Sequence, residues 1–301
     1  MHKFSHLLCA GMLALVVPGV GAAATDTKWE PIAQALGKSG TEMPGGVYRI
    51  GLPRTDLNVR LDGVTLKPGF ALGSWVAFLP MGKDAMVMGD LVLTQEEIEP
   101  VMKKLLEGGI EVTALHNHLL RAAPLPFYMH ISGHGEPVAL ARAIHEALVL
   151  SHTPLGNPAP AGAEAKPDLD TAMLDRTLGA SGKAAGGVYQ FGIPRAEAVH
   201  EHGMVVPPAM GTAESINFQP TGNGKAAITG DFVLTATEVA PVMRALRENG
   251  IDVTAVHNHM LDDQPRLFFM HFWANDDAAK LARVLRAALD KVNVKKQVAS
   301  R

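Results

Sequence analysis

The chain repeats itself. Residues 89 to 130 align with residues 230 to 271 at a constant offset of 141 without a gap, and 24 of the 42 positions are identical. Upstream, Gly46-Val47-Tyr48 with Gly51, Pro53 and Arg54 recurs as Gly187-Val188-Tyr189 with Gly192, Pro194 and Arg195. Between these blocks the match is looser: Gly63, Pro68, Phe78 and Pro80 answer to Gly203, Pro208, Phe218 and Pro220. A tandem duplication means one fold built twice, and where the repeats differ, at His200-Glu201-His202 and Asp262-Asp263, the second is expected to be the better functional candidate. Residues 151–167 are rich in Pro, Gly and Ala, have no counterpart and read as a linker. The expected repeats run over 27–150 and 168–292, each of ordinary domain size.

Local signals recur in the same order in each repeat. A short helix ends at Gly37 or Gly179, the residue type that tolerates the left-handed turn after a helix. Strands are expected over 47–52 and 188–193, then around 75–79 and 215–219. Asp90-Leu-Val-Leu-Thr94 and Asp231-Phe-Val-Leu-Thr235 read as strands that run into a helix. Thr94 with Glu97, and Thr235 with Glu238, have the spacing of a capping box. The helices that follow place Ile98, Val101, Met102 and Leu105, or Val239, Val242, Met243 and Leu246, on one apolar face. A hairpin of 112–118 with 127–131 and a last helix over 140–148 complete the unit. Strands and helices do not alternate in β-α-β order, so the expected class is α+β, one mixed helix and sheet domain in tandem.

Residues 1–24 have the form of a secretory signal peptide. His2 and Lys3 precede an apolar run from Leu7 to Val17, and Ala22-Ala23-Ala24 offers a cleavage site. The run is short for a membrane span, and no other segment approaches that length. A periplasmic or secreted protein without a transmembrane span after cleavage is therefore expected. The single cysteine, Cys9, lies within the leader, and Leu8 before it is too large for a lipobox. Net charge is −3, with no long basic patch and 5% aromatic residues, which argues against nucleic acid as a partner.

The chemical signal lies in the 13 histidines. His116-Asn117-His118 with His130 recurs as His257-Asn258-His259 with His271. Residues i and i+2 of a strand share a face, so each H-x-H pair projects two imidazoles to one side. The hairpin returns a third histidine on the neighbouring strand, about 5 Å away for opposed Cβ atoms. Zinc–nitrogen bonds are about 2 Å long, so three such rings can converge on one ion. A slip of one residue in the hairpin would send His130 to the other face. The expected cofactor is zinc or another divalent transition metal held by three histidines in each repeat. The methionines, Met102 and Met243 among them, fit core packing better than a copper site.

Other residues are candidates for roles around that metal. Arg54 and Arg195 end matched strands, where a guanidinium can clamp a carboxylate or phosphate bidentately or join a surface ion pair. Asp90 and Asp231 can hold an imidazole N–H or be turn residues. The second repeat alone carries His200-Glu201-His202, and Glu201 is a candidate fourth ligand or general base. Asp262 and Asp263 are likewise without counterparts.

The paired G-G-V-Y…P-R, G-D-x-V-L-T and V-T-A-[LV]-H-N-H-[ML]-L…P…F-[FY]-M-H segments resemble the LppY/LpqO family of exported bacterial proteins across both repeats. That resemblance implies location and architecture rather than a reaction. A second resemblance, to the α-acetolactate decarboxylase type of fold, rests on the spacing of His257, His259 and His271 and of His116, His118 and His130. It implies zinc on an H-x-H strand and a later histidine. Together these lead to an expectation of a metal-dependent lyase or hydrolase acting on a small anionic molecule, with Arg195 or Arg54 as anchor and Glu201 moving protons. The alternatives are a periplasmic metal-binding protein without catalysis, and an envelope interaction module with structural histidines.

Overall fold

A computed structural model describes residues 28–156 and 166–295. The expected leader lies outside the described residues, as does 157–165 of the expected linker. The first repeat runs α1 (Glu30–Leu36), β1 (Thr41–Met43), β2 (Val47–Pro53), β3 (Arg60–Leu61), β4 (Val64–Thr65), α2 (Pro68–Ala71), β5 (Gly73–Met81), β6 (Asp84–Leu93), α3 (Gln95–Glu107), β7 (Glu111–His116), β8 (Phe127–Gly135) and α4 (Pro137–Leu148). The second runs α5 (Thr171–Leu178), β9 (Lys183–Ala185), β10 (Val188–Pro194), β11 (Val199–Glu201), β12 (Met204–Val206), a 3-10 turn (Pro208–Met210), β13 (Ala213–Gly222), β14 (Lys225–Thr235), α6 (Ala236–Arg247), β15 (Asp252–His257), β16 (Leu267–Asp277) and α7 (Ala278–Leu289). The class is α+β, with two similar sheet-plus-helix halves.

Each half is built on a six-stranded sheet, ordered β1-β2-β5-β6-β8-β7 in the first and β9-β10-β13-β14-β16-β15 in the second. The pairings are antiparallel. Side chains alternate along each strand, so one face of each sheet meets its own helices. Ile50, Val76, Val87, Leu91, Met129 and Ile131 pack there with Leu36, Val101, Leu105 and Ile144. Phe191, Ile216, Ile228, Phe232 and Met270 do the same in the second half with Leu174, Val242, Leu246 and Leu285.

The opposite faces meet each other. Tyr128, Val92 and Leu119 of the first repeat share an apolar cluster with Val188, Ala227 and Trp273 of the second. Val47, Ala77, Met86 and Met88 share another with Val233, Met260, Leu267 and Phe269. The two repeats are therefore joined by a continuous core, and sheet-on-sheet packing sets up the seam between them.

The strands carrying Asp90 and Asp231 extend further upstream than the sequence signals. Asp90 lies inside β6 and Asp231 inside β14, not at their starts. Ala85 to Met88 and Ala226 to Thr229 continue the same strands, because Gly89 and Gly230 are not turns. Each glycine allows close approach: a Cβ on Gly89 would lie 2.8 Å from the Trp75 carbonyl oxygen, and one on Gly230 would collide with that of Ser215. Both capping boxes form, with Thr94 N–H donating to Glu97 at 2.9 Å and Thr235 N–H to Glu238 at 2.7 Å.

Candidate metal centre at the seam between the repeats

The hairpin register decides where the histidines point. His116 pairs with Tyr128 and Ala114 with His130 across β7 and β8. The offset between His116 and the partner of His130 is two residues, so His116 and His130 share a face. The second repeat matches, with His257 opposite Phe269 and Ala255 opposite His271. A bulge interrupts each ladder at Thr113 and Thr254. His118 and His259 lie just beyond the strand ends, where the chain leaves toward the cis prolines Pro124 and Pro265.

Because these faces oppose each other, the six imidazoles meet in one place. His116 stacks on His257 at 3.5 Å between ring centroids, His118 on His271 at 3.5 Å and His130 on His259 at 3.7 Å. Each pair crosses the seam. Tyr128 and Phe269 close the ends, stacked on His118 and His259 at 3.5 and 3.3 Å. Two groups of possible ligand atoms result, each drawn within 4.8 Å: His116, His118, His130 and His257, and Asp231, His257, His259 and His271. The expectation of a self-contained trio per repeat is thus modified, since the first group includes a histidine of the second repeat and His257 belongs to both.

Ring nitrogens and carboxylate oxygens of both repeats converge here. The Nδ1 of His271 lies 2.9 Å from the Gly230 carbonyl, and that of His257 lies 3.0 Å from the Asn258 carbonyl. His130 is bonded to the Gly89 carbonyl in the same way. In each neutral ring the N–H is thereby used on a backbone acceptor, which leaves Nε2 as a bare lone pair. The Nε2 atoms of His130, His257, His259 and His271, with Oδ1 of Asp90 and of Asp231, are buried without a hydrogen bond. Asp231 Oδ1 lies only 2.9 Å from His271 Nε2. With the ring proton on Nδ1 both atoms are acceptors that a cation between them would satisfy, and with both ring nitrogens protonated the contact is an ion pair. The Nε2 atoms of His116 and His118 are hydrogen-bonded to each other at 2.8 Å, with the donor set by the tautomer, and it is Nδ1 of His116 that is buried without a partner.

Burial keeps these rings in the form that binds metal. Desolvation, reinforced by neighbouring imidazoles, pushes His118, His130 and His259 well below the ordinary histidine range and lowers His116 as well. Burial and His271 bring His257 down to about 4, against the field of Asp231. Asp90, the cross-strand partner of His130, is raised well above the usual carboxylate range by burial and by Asp231. A cation would relieve both sets of penalties at once. A cavity of about 350 Å³ opens beside the centre and is lined in part by Asp90, His118, Asp231 and His271.

The expected anchors are elsewhere. Arg54 is fully buried and held by Asp56 and Glu97, each at 2.8 Å, and by the Val92 carbonyl. Arg195 is held by Glu197, Glu238 and the Val233 carbonyl. Neither lines the cavity beside the histidines. Each guanidinium instead ties its strand end to a capping-box glutamate, so the strong cation that seemed free in the sequence has its charge spent internally. Glu201 is not in either ligand group. Its Oε1 faces the N–H groups of Leu261 and Asp262 at 3.4 Å, bracing the turn that follows His259. Asp263 holds the same turn through Leu267 N–H and Arg266. Met102, Met129, Met243 and Met270 pack with the helix-side cores.

A fold of two facing sheets and a seam of six histidines define a duplicated α+β protein with the means to hold metal between its halves. The chain belongs to the family described as Domain of Unknown Function (DUF1259), whose model matches residues 30–150 and again 172–291. No curated protein matches. Among solved structures, the chain is similar to a trimeric bacterial microcompartment shell protein, PduB, at 12% identity and a TM-score of 0.20, covering 84% of this chain and 90% of that one. It is also similar to EtuB from Clostridium kluyveri at 8% identity and a TM-score of 0.19, over 83% and 90%. Likeness at that level carries no weight for fold or function.

Proposed function

We propose that the seam is a centre for zinc or another divalent transition metal, and that an exported protein uses it for lyase or hydrolase chemistry on a small anionic molecule. The observation that supports this reading is the convergence of unpartnered Nε2 and carboxylate lone pairs from both repeats. The ligand arithmetic favours catalysis over storage. Seven residues fill the two groups, and His257 offers one ligand atom to either. Two ions therefore cannot both be four-coordinate from this set, and one keeps an open position, the pattern of catalytic rather than structural sites. A bound ion of this kind polarises a carbonyl or lowers the pKa of water to about 7. The chain supplies ligands fixed by backbone carbonyls, aromatic rings stacked on His118 and His259, and a cavity for the reactant. Resemblance of the paired motifs to LppY/LpqO proteins supports the exported setting, and the H-x-H spacing shared with the α-acetolactate decarboxylase type supports the lyase option.

A metal-holding protein without catalysis is the second reading, and one observation favours it: either group taken alone offers four ligand atoms, a closed set. Elemental analysis of the purified mature protein, beside a His257→Ala, His259→Ala double variant, tests the common core of both readings. The wild type is expected to carry divalent metal that the double variant loses. Equal metal content in the two would refute it. Exchange of solvent on the bound metal then separates the open, catalytic centre from the closed one.

A further inference from the structure

The cavity beside the histidines is not symmetric, although the fold is. One lateral row of the first sheet reads Gly51, Trp75, Asp90 and His130, and its counterpart in the second reads Gly192, Ser215, Asp231 and His271. The next row reads Arg49, Ala77 and Met88 against Gln190, Asn217 and Thr229. The metal-facing positions are thus kept, while the positions beyond them diverge: one wall presents a cation and an indole, the other four neutral hydrogen-bonding side chains.

Arg49 differs from Arg54 and Arg195 in having no ionic partner. Its guanidinium lies over the Trp75 ring at 3.8 Å from the centroid, and one Nη donates to the Ala209 carbonyl of the second repeat. Among the described residues no carboxylate pairs with it. Asp90 is the charged group that acts on it from a distance, and burial lowers it to about 10, still protonated at neutral pH. Stacking on Trp75 fixes the plane of the fork, and among the described residues the acceptor for its N–H groups is the Ala209 carbonyl. Gly51 keeps the space in front of it clear, since a Cβ there would meet nothing within 4 Å.

We infer that this cavity is the reactant subsite of the proposed centre and takes a small polyhydroxylated carboxylate. The carboxylate is held by Arg49, and the hydroxyls lie along Gln190, Ser215, Asn217 and Thr229. The inference rests on the metal reading only for what happens to the ligand, not for its binding. A phosphate would satisfy Arg49 but carries no chain of hydroxyls to run along the polar wall.

Isothermal titration of the full chain, with and without zinc, tests this with three probes: D-gluconate, its neutral analogue sorbitol, and inorganic phosphate. Gluconate is expected to bind at least tenfold more tightly than either of the others. Arg49→Gln, which copies Gln190, should weaken gluconate at least tenfold, leave sorbitol unchanged and leave metal content at the wild-type level. Gly51→Leu should abolish gluconate binding by filling the cavity, again with metal content kept, and guards against a folding defect in the arginine variant. Gluconate binding unchanged by both substitutions, or absent from the wild type, would overturn the subsite. Phosphate binding as tightly as gluconate would overturn the ligand class. Arg49-dependent gluconate binding by a chain that holds no metal would uphold the subsite while refuting the metal reading.

Discussion

The hydroxyl of Thr113 donates to the backbone carbonyl of His259 across the seam at 2.6 Å, and Thr254 returns the same bond to the carbonyl of His118. Each repeat thus holds the second histidine of the other, from a bulge that turns its threonine out of the ladder. The centre is consequently a property of the pair of repeats.

Replacing Thr113 or Thr254 with valine keeps the shape and removes the donor, leaving a buried carbonyl without a partner. Each substitution is expected to lower unfolding free energy by about 1–3 kcal/mol. Denaturant titration measures that loss. Metal titration should show weakened affinity in the same variants, because the H-N-H loops lose their fixed position. A stability loss with unaltered metal affinity would uncouple the loops from the centre.

The buried pair of Arg54 and Glu97 predicts acid sensitivity unrelated to the seam histidines. Burial alone would raise the Glu97 carboxyl, but Arg54 and the N–H groups of His152 and Thr94 outweigh it and hold it at about 2, below the ordinary 4.5. A carboxylate depressed in the folded state stabilises above its unfolded pKa, and that contribution is lost as pH falls from 4.5 toward 2. Melting temperature should therefore drop through this window, and Glu97→Gln should flatten that part of the profile. Arg54→Leu leaves two carboxylates facing a buried site and should cost about 3–5 kcal/mol at neutral pH. An unchanged profile in the glutamine variant would show that other groups set the acid limit.

Two glycines on opposite faces of the second sheet are expected to differ sharply in tolerance. A Cβ on Gly230 collides with the Ser215 backbone, whereas one on Gly192 meets nothing within 4 Å. Gly230→Ala must push β13 from β14 and disturb the carbonyl that orients His271, so loss of both stability and metal is expected. Gly192→Ala should stay within about 0.5 kcal/mol of wild type. Thermal melts of the two, run together, check the contrast.

Much of this arrangement was legible in the residues. The duplication, the α+β class and the capping boxes follow from identities, periodicity and the Thr-x-x-Glu spacing. That His116 shares a face with His130 follows from strand parity once the hairpin offset is even. The packing of one sheet against the other was not legible, because the seam positions read like any half-buried strand face. Arg54 and Arg195 looked available for an anion because their partner Glu97 or Glu238 is already explained by helix capping. The same carboxylate serves both, a sharing that spacing does not reveal. Arg49 carries no repeat signal, because its counterpart is Gln190 and its role comes from being unmatched. Asp90 and Asp231 carried a signal, a lone carboxylate within an apolar run, that a strand boundary drawn at the preceding glycine concealed.

The most direct test is an anomalous-difference map from crystals of the full chain grown with zinc, recorded on either side of the metal absorption edge. A peak is expected at the seam, bonded at about 2.0–2.1 Å to Nε2 atoms that include His257. Saturating zinc that appears only at surface histidines such as His202, with the seam rings hydrogen-bonded to one another, would contradict the account.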